Sequence, residues 1–178
     1  FHPLTVDVNT QFQVPHSRWN EVYPEQFVEA GLPILVTEDD DGCVHLATSE
    51  DGIRIVFFQG HPEYDTISLL KEFKREVNLF IDGKLDHCPP LPQNYFGIFE
   101  RAVVNEYRFK LLQALKEGAE KPEFPEYKLL STLANSWCDT ADAIVGNWIG
   151  LIYQLTHKDR KKPFMDGIDI EDPLGLKK

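Results

Sequence analysis

The sequence predicts an α/β fold in which a short antiparallel meander is followed by long amphipathic helices. Three β-rich runs at 34–38, 43–49 and 53–59 are separated by turns that end in Gly. Asp-Gly between such runs is typical of hairpin connections. Beyond residue 65, apolar residues recur at spacings of three and four, which indicates helices that bury one face.

Two helices are expected to flank the meander. Pro24 near the start and Gly31 just past the end of "YPEQFVEAG" predict a short helix before it. After it, Asp65 is suited to cap a helix that runs to about Ile81. The apolar stripe of this second helix is predicted to consist of Leu69, Phe73, Val77 and Phe80.

The remainder of the chain is predicted to be mostly helical. A Pro-rich loop at 87–97 precedes a helix over 98–117, which "GAEKPEFPEY" at 118–127 brings to an end. A last long helix is expected from about Leu129 to Thr156. The apolar side of the helix over 98–117 is predicted to be Phe99, Val103, Tyr107, Leu111 and Leu115.

Composition limits the classes of function. The 178 residues suit a single domain, or part of a larger one, and the formal charge of −11 argues against nucleic acid or an anionic membrane as partner. The chain has neither a long apolar run nor a signal-peptide pattern, and we expect it to be cytoplasmic. Cys43, Cys88 and Cys138 are odd in number and widely spaced, which favours free thiols. We assign no metal site.

The stretch "FFQGHPEYD" at 57–65 places ionisable residues where a buried strand is predicted to stop. Ligands and catalytic groups collect at the carboxyl edge of strands in open α/β sheets. Gly60 permits a sharp turn or a close approach, and Glu63 is near enough to accept the ring N–H of His61. A base oriented by a carboxylate is two-thirds of a nucleophilic triad. The alternative is a helix N-terminus with acids that favour its dipole and a His that only caps it.

Longer motifs connect this stretch to a known family. "GHPEYDTISLLKEFKRE" resembles the active-site segment of MetA-type homoserine O-acyltransferases, the homoserine O-succinyltransferases. "VPHSRWNEV" (14–22), "NYF" (94–96) and "SWCDTADAIVGNWIGLIYQLT" (136–156) agree with that family in the same order. The resemblance implies the C-terminal portion of a flavodoxin-like, class I glutamine amidotransferase-like three-layer sandwich.

The resemblance also implies roles for five residues. In the family a Cys attacks an acyl-CoA thioester, and the acyl group then passes to the hydroxyl of homoserine. His61 matches the triad base and Glu63 its orienting acid. Glu72 and Arg75 match residues at the amino-acid end, and Ser17 matches a residue of the substrate pocket. Taken without the resemblance, Glu72 and Arg75 are more simply an exposed ion pair of little energetic value. No bound cofactor is implied, since acyl-CoA is a co-substrate.

Two features depart from the family pattern. The family nucleophile is a Cys on a strand-to-helix turn before the "PHSR" block, and residues 1–15 contain no Cys. We therefore expect the chain to be the C-terminal part of a larger acyltransferase-like domain, inactive alone, with its thiol supplied by a missing N-terminal chain. A homodimer partner is a further expected contact. Residues 97–130 exceed the family's short connection and predict a helical insertion, which leaves the acceptor open between homoserine and a similar small amino acid.

Two other functions fit the same residues. "HPE" after a buried strand also occurs in class I glutamine amidotransferases. A catalytically inactive protein that binds carbohydrate or a protein partner on the same scaffold is the second alternative. In every case, half of a doubly wound sheet is expected to expose apolar surface where the remainder docks.

Overall fold

The computed structural model describes residues 1–18, 20–39 and 42–177. Residues 40 and 41, which belong to the first predicted turn of the meander, lie outside the described residues. The chain forms two compact units. The first unit combines residues 1–63 with 136–178, and the second consists of residues 64–135.

The first unit contains the predicted meander. Strands β1 (Ile34–Thr37), β2 (Val44–Thr48) and β3 (Val56–Phe58) form an antiparallel sheet in the order β1-β2-β3. All five residues of the central strand β2 are buried, as expected for a strand covered on both faces.

Strand β3 is shorter than the predicted run over 53–59. The carboxylate of Asp51 accepts the backbone N–H groups of Ile53 and Arg54 at 3.1 and 3.0 Å. These bonds keep the backbone in the turn, because an Asp side chain offers a local alternative to the ladder of a sheet. The strand ends at Phe58, one residue before the end of the predicted run.

Within its described residues, the first unit adds three helices to the sheet. They are a short 3₁₀ helix (Pro3–Thr5), α1 (Pro24–Glu29) and α5 (Cys138–Leu155). Helix α1 confirms the prediction made from Pro24 and Gly31, and Gly31 adopts a φ of +70°, which favours glycine. Phe27 of α1 packs with Val44 and Ala47 of β2 in a small core.

Polar side chains on one face of α5 attach this helix to the amino-terminal segment. The Asn147 side-chain amide donates to the carbonyl oxygens of Leu4 and Val6 at 3.2 and 2.8 Å. The Trp148 indole N–H donates to the carbonyl oxygen of Ile53 at 2.7 Å. Both side chains are therefore bonded within the fold.

The second unit is helical, with α2 (Ser68–Ile81), α3 (Ile98–Glu117) and α4 (Glu126–Leu130) around one apolar core. The predicted span of α3 is confirmed, and both predicted stripes are confirmed in part, since Phe73 and Val77 of α2 and Tyr107 and Leu111 of α3 are buried. In α2 the buried residue at the start is Leu70 instead of Leu69, and in α3 Phe99 is exposed while Val104 is buried. The buried members of this core are Leu70, Phe73, Val77, Phe96, Val104, Tyr107, Leu111 and Leu129.

The prediction of one long helix from Leu129 to Thr156 is wrong. Helix α4 ends at Leu130, and α5 begins only at Cys138. In the first residues of the break, the hydroxyls of Ser131 and Thr132 donate to backbone carbonyls of the preceding turn. Such side-chain bonds compete with a helical backbone.

The predicted cap of α2 is also wrong. The helix begins at Ser68, three residues after Asp65, and the backbone carbonyl of Asp65, not its carboxylate, accepts the N–H of Ser68. Among the described residues, no helix combines the length and the apolar character needed to cross a membrane.

Candidate functional site

The turn after β3 is fixed to its surroundings through Gln59. Its backbone N–H donates to the carbonyl oxygen of His45 on β2 at 3.0 Å. Its side-chain amide accepts the N–H of Val22 at 3.0 Å and donates to the carbonyl oxygen of Val22 at 2.6 Å. Gln59 is thus held both by β2 and by Val22. This limits the positions that Gly60 and His61, the next residues, can take.

Gly60 lies where two imidazole rings approach the backbone. A Cβ at this position would be 3.0 Å from His16 Nε2, from His45 Nδ1 and from a methyl carbon of Val14. The next residue, His61, donates its backbone N–H to the carbonyl oxygen of Pro15 at 2.7 Å. Side chains of the protein itself, from His16, His45 and Val14, thus come close to Gly60.

Replacing Gly60 with alanine is expected to lower the free energy of unfolding by about 1–3 kcal/mol, since the new methyl group overlaps three neighbours. Urea unfolding of residues 1–178 measures the change. Gly146→Ala is the matched control, because a Cβ at Gly146 meets nothing within 4 Å. Equal unfolding midpoints for Gly60→Ala and the unmodified chain would contradict the crowding at Gly60.

His61 and Glu63 are brought together as the sequence indicates. His61 Nδ1 lies 2.9 Å from a carboxylate oxygen of Glu63. Although burial alone would raise it, the pKa of Glu63 is lowered by the hydrogen bond from His61, so the group is a carboxylate at neutral pH. Since a carboxylate only accepts, Nδ1 carries the ring proton and Nε2 is the basic nitrogen of the neutral ring. The pair is open to solvent, with 32% of the His61 and 68% of the Glu63 side chain exposed.

The "PHSR" segment is anchored by an ion pair that the sequence did not reveal. Arg18 donates to both carboxylate oxygens of Glu38, at 2.7 and 3.3 Å, and also to His16 Nδ1 at 2.9 Å. Because a guanidinium only donates, His16 Nδ1 must be the acceptor. Ser17, between these two residues, is exposed.

His45 is a further candidate residue of the site that was not predicted from the sequence. Its side chain is 2% exposed, and within the described residues its Nδ1 has no hydrogen-bond partner. Burial, together with the positive charges of His16 and Arg18, lowers the pKa of His45 to about 4. The ring is therefore neutral at pH 7 and packs between Phe12 and Phe58. The alternation of side-chain direction along β2 could have indicated that His45 points inward. It could not have identified the residues that contact the ring.

The other two candidate residues, Glu72 and Arg75, lie one turn apart on α2 of the second unit. The Tyr64 hydroxyl donates to a carboxylate oxygen of Glu72 at 2.7 Å, and Arg75 is exposed. Tyr64 thus orients Glu72 within the second unit. The substrate-binding roles of Ser17, Glu72 and Arg75 stay predictions.

The three cysteines differ in their surroundings. Cys43 precedes β2 in the meander and is buried, and Cys88 is partly buried. Cys138 begins α5, where the nearby carboxylates of Asp142 and Asp139 raise the pKa of its thiol. None of the three lies on a strand-to-helix turn. Within the described part of the chain, no three His, Cys, Asp or Glu side chains are arranged to hold a metal ion.

Comparison with known proteins gives a consistent result. The family model for homoserine O-succinyltransferase matches residues 1–158. The curated homoserine O-succinyltransferase of Allochromatium vinosum is 58% identical over 175 residues, which are 98% of this chain and 49% of that protein. Those of Nitrosococcus oceani and Thiothrix nivea are each 51% identical, over 177 and 176 residues, which are 99% of this chain and 49% of each relative. The chain thus spans about half the length of the curated relatives it matches, and it belongs to the homoserine O-succinyltransferase family.

Proposed function

We propose that this chain supplies part of an active site that transfers a succinyl group from succinyl-CoA to the hydroxyl of homoserine. Its contribution is the general base and the residues that bind the amino-acid substrate. The observation that carries the proposal is the hydrogen bond of 2.9 Å between His61 and Glu63, in a chain whose relatives are named homoserine O-succinyltransferases. The donor and acceptor are taken from that name. The reaction belongs to the biosynthesis of methionine, and a cytoplasmic location fits it.

In the proposed mechanism, the acyl group moves in two steps. His61 Nε2 takes the proton of a cysteine thiol, the thiolate attacks the thioester carbonyl, and CoA leaves with the proton returned by His61. His61 then takes the proton of the homoserine hydroxyl, whose oxygen attacks the enzyme thioester and displaces the cysteine. Glu63 keeps the ring proton on Nδ1 and stabilises the imidazolium that forms in each step.

The thiol is proposed to come from polypeptide outside residues 1–178. The buried Cys43 and the raised pKa of Cys138 support this assignment. We propose that this polypeptide completes a flavodoxin-like three-layer sandwich with the part described above, and that the chain alone does not turn over. Residues 97–130, which include α3 and α4, remain a proposed helical insertion.

A segment exchange tests the proposed function. In the Allochromatium chimera, residues 1–178 replace the matched segment of the Allochromatium vinosum protein. We expect this chimera, but not residues 1–178 alone, to release CoA from succinyl-CoA and to form O-succinylhomoserine, measured by thiol titration and mass spectrometry. The unmodified Allochromatium vinosum protein is the positive control. A folded chimera that forms no O-succinylhomoserine would favour a binding protein, and release of ammonia from glutamine would favour an amidotransferase.

Arg75→Lys tests the proposed amino-acid end of the site. A guanidinium binds a carboxylate through two parallel hydrogen bonds, which an ammonium does not reproduce. In the chimera we expect KM for homoserine to rise about tenfold, equivalent to about 1.4 kcal/mol, with little change in kcat. Arg108→Lys on α3 is the control and is expected to leave KM unchanged. An unchanged KM in Arg75→Lys would return Arg75 to the simpler role of a surface residue.

A further inference from the structure

Helix α5 presents two apolar faces, of which one is packed and the other carries exposed side chains. On the packed face, Ile144 is buried, and Asn147 and Trp148 bond to the amino-terminal segment and to Ile53. The other face is an apolar stripe at spacings of four, three and one, open to solvent. This stripe consists of Val145, Ile149, Ile152 and Tyr153, which are 39, 60, 37 and 83% exposed.

A helix that is apolar on both sides is typical of a helix buried between two layers, not of a surface helix. Scattered exposed apolar residues are ordinary, but this stripe is continuous over more than two turns. The charged residues of α5, Asp139 and Asp142, both precede the stripe, and none lies within it. The surface therefore suits an apolar partner and not a charged one.

Two glycines beside the stripe support a close partner. A Cβ at Gly146 or Gly150 would meet nothing within 4 Å. Glycine is unfavourable in the interior of a helix, and the packing described here does not require it at either position. Small residues are useful where another chain must approach the helix backbone closely.

We propose that the stripe on α5 is the docking surface for the polypeptide that the longer relatives carry outside the matched span. That polypeptide makes up about half of each relative, since this chain covers 49% of the proteins from Allochromatium vinosum and Nitrosococcus oceani. It must bury apolar surface against the matched half, and α5 offers a ready apolar face. The proposal extends the proposed function by naming the contact, but it does not depend on turnover.

Site-specific labelling tests the docking. Ile149→Cys is compared with Val28→Cys on α1, a different helix, where the original side chain is 69% exposed. Each variant is prepared in residues 1–178 and in the Allochromatium chimera, treated with a maleimide, and analysed by tandem mass spectrometry to separate the new site from the native cysteines. We expect labelling at position 149 to be at least about tenfold slower in the chimera than in residues 1–178, with similar rates at position 28.

A second variant separates docking from local packing. Ile149→Asp is expected to leave the melting temperature of residues 1–178 unchanged, because the side chain is already in water there, and to lower that of the chimera by several degrees. Equal labelling of Ile149→Cys in both proteins would overturn the proposal. So would protection in residues 1–178 alone with a dimeric mass by light scattering, which would assign the stripe to a second copy of the chain. An inactive chimera in which position 149 is protected would reject the proposed function and leave the docking surface in place.

Discussion

Replacing His61 with alanine is expected to lower the kcat/KM of the Allochromatium chimera for homoserine by a factor of about 10²–10⁴. This is the range for loss of a general base. The physical reason is that no other group then takes the proton from the attacking thiol or hydroxyl. CoA release and product formation, measured at saturating succinyl-CoA, report the change. Circular dichroism shows whether the variant remains folded.

Two further variants make the His61 experiment specific. His87→Ala removes an exposed histidine from the loop between α2 and α3 and is expected to leave the rate unchanged. Glu63→Gln keeps the shape of the partner but removes its charge, so we expect a smaller loss than for His61→Ala. The loss is limited because Glu63 is largely exposed and water screens its charge. Equal rates for His61→Ala and the unmodified chimera would remove His61 from the mechanism.

Acidification from pH 7 to pH 5 is expected to lower the free energy of unfolding of residues 1–178 by about 2 kcal/mol through His45 alone. The pKa of His45 is lowered to about 4 in the folded chain, against an ordinary value of 6.5. Between these values the unfolded chain binds a proton that the folded chain does not bind. The contribution is therefore fully present above about pH 6.5 and is lost as the pH falls toward 4.

Urea unfolding at a series of pH values measures this effect. Replacing His45 with phenylalanine removes the titrating group while keeping an aromatic ring between Phe12 and Phe58. We expect the unfolding free energy of this variant to change less between pH 7 and pH 5 than that of the unmodified chain. His87→Phe serves as the control and should retain the full dependence. Identical pH profiles for His45→Phe and the unmodified chain would show that the buried ring is not the acid-sensitive group, and would point to His16 or to carboxylates.

Local sequence signals predicted the elements that depend on neighbouring residues. The meander follows from turn residues between β-rich runs, and α1 and α3 follow from a start signal, a stop signal and apolar spacing. The break between α4 and α5 was missed because its hydroxyl side chains bond to the backbone of α4, while apolar residues recur through the break. On α2, Phe73 and Val77 were predicted correctly and Leu70 was missed, since a helical repeat does not fix which of two neighbouring apolar residues faces the core.

Most of the candidate site was also readable from one short stretch. His61 and Glu63 are two residues apart, so their hydrogen bond depends on local geometry that the chain itself dictates. The partners of the neighbouring "PHSR" segment are distant in sequence, and the sequence could not pair Arg18 with Glu38 or place His45 beside Gly60. Such contacts form only when the sheet brings separate segments together.

The sequence by itself therefore determined the family, the antiparallel meander and the proposed base with its carboxylate, because these depend on motifs and on residues that are close along the chain. Only the tertiary structure decided that His45 is buried with an Nδ1 that finds no partner among the described residues, which ion pair anchors the segment beside His61, and which face of α5 stays exposed. Burial and charge pairing are properties of distant segments placed side by side, and a local pattern does not contain them.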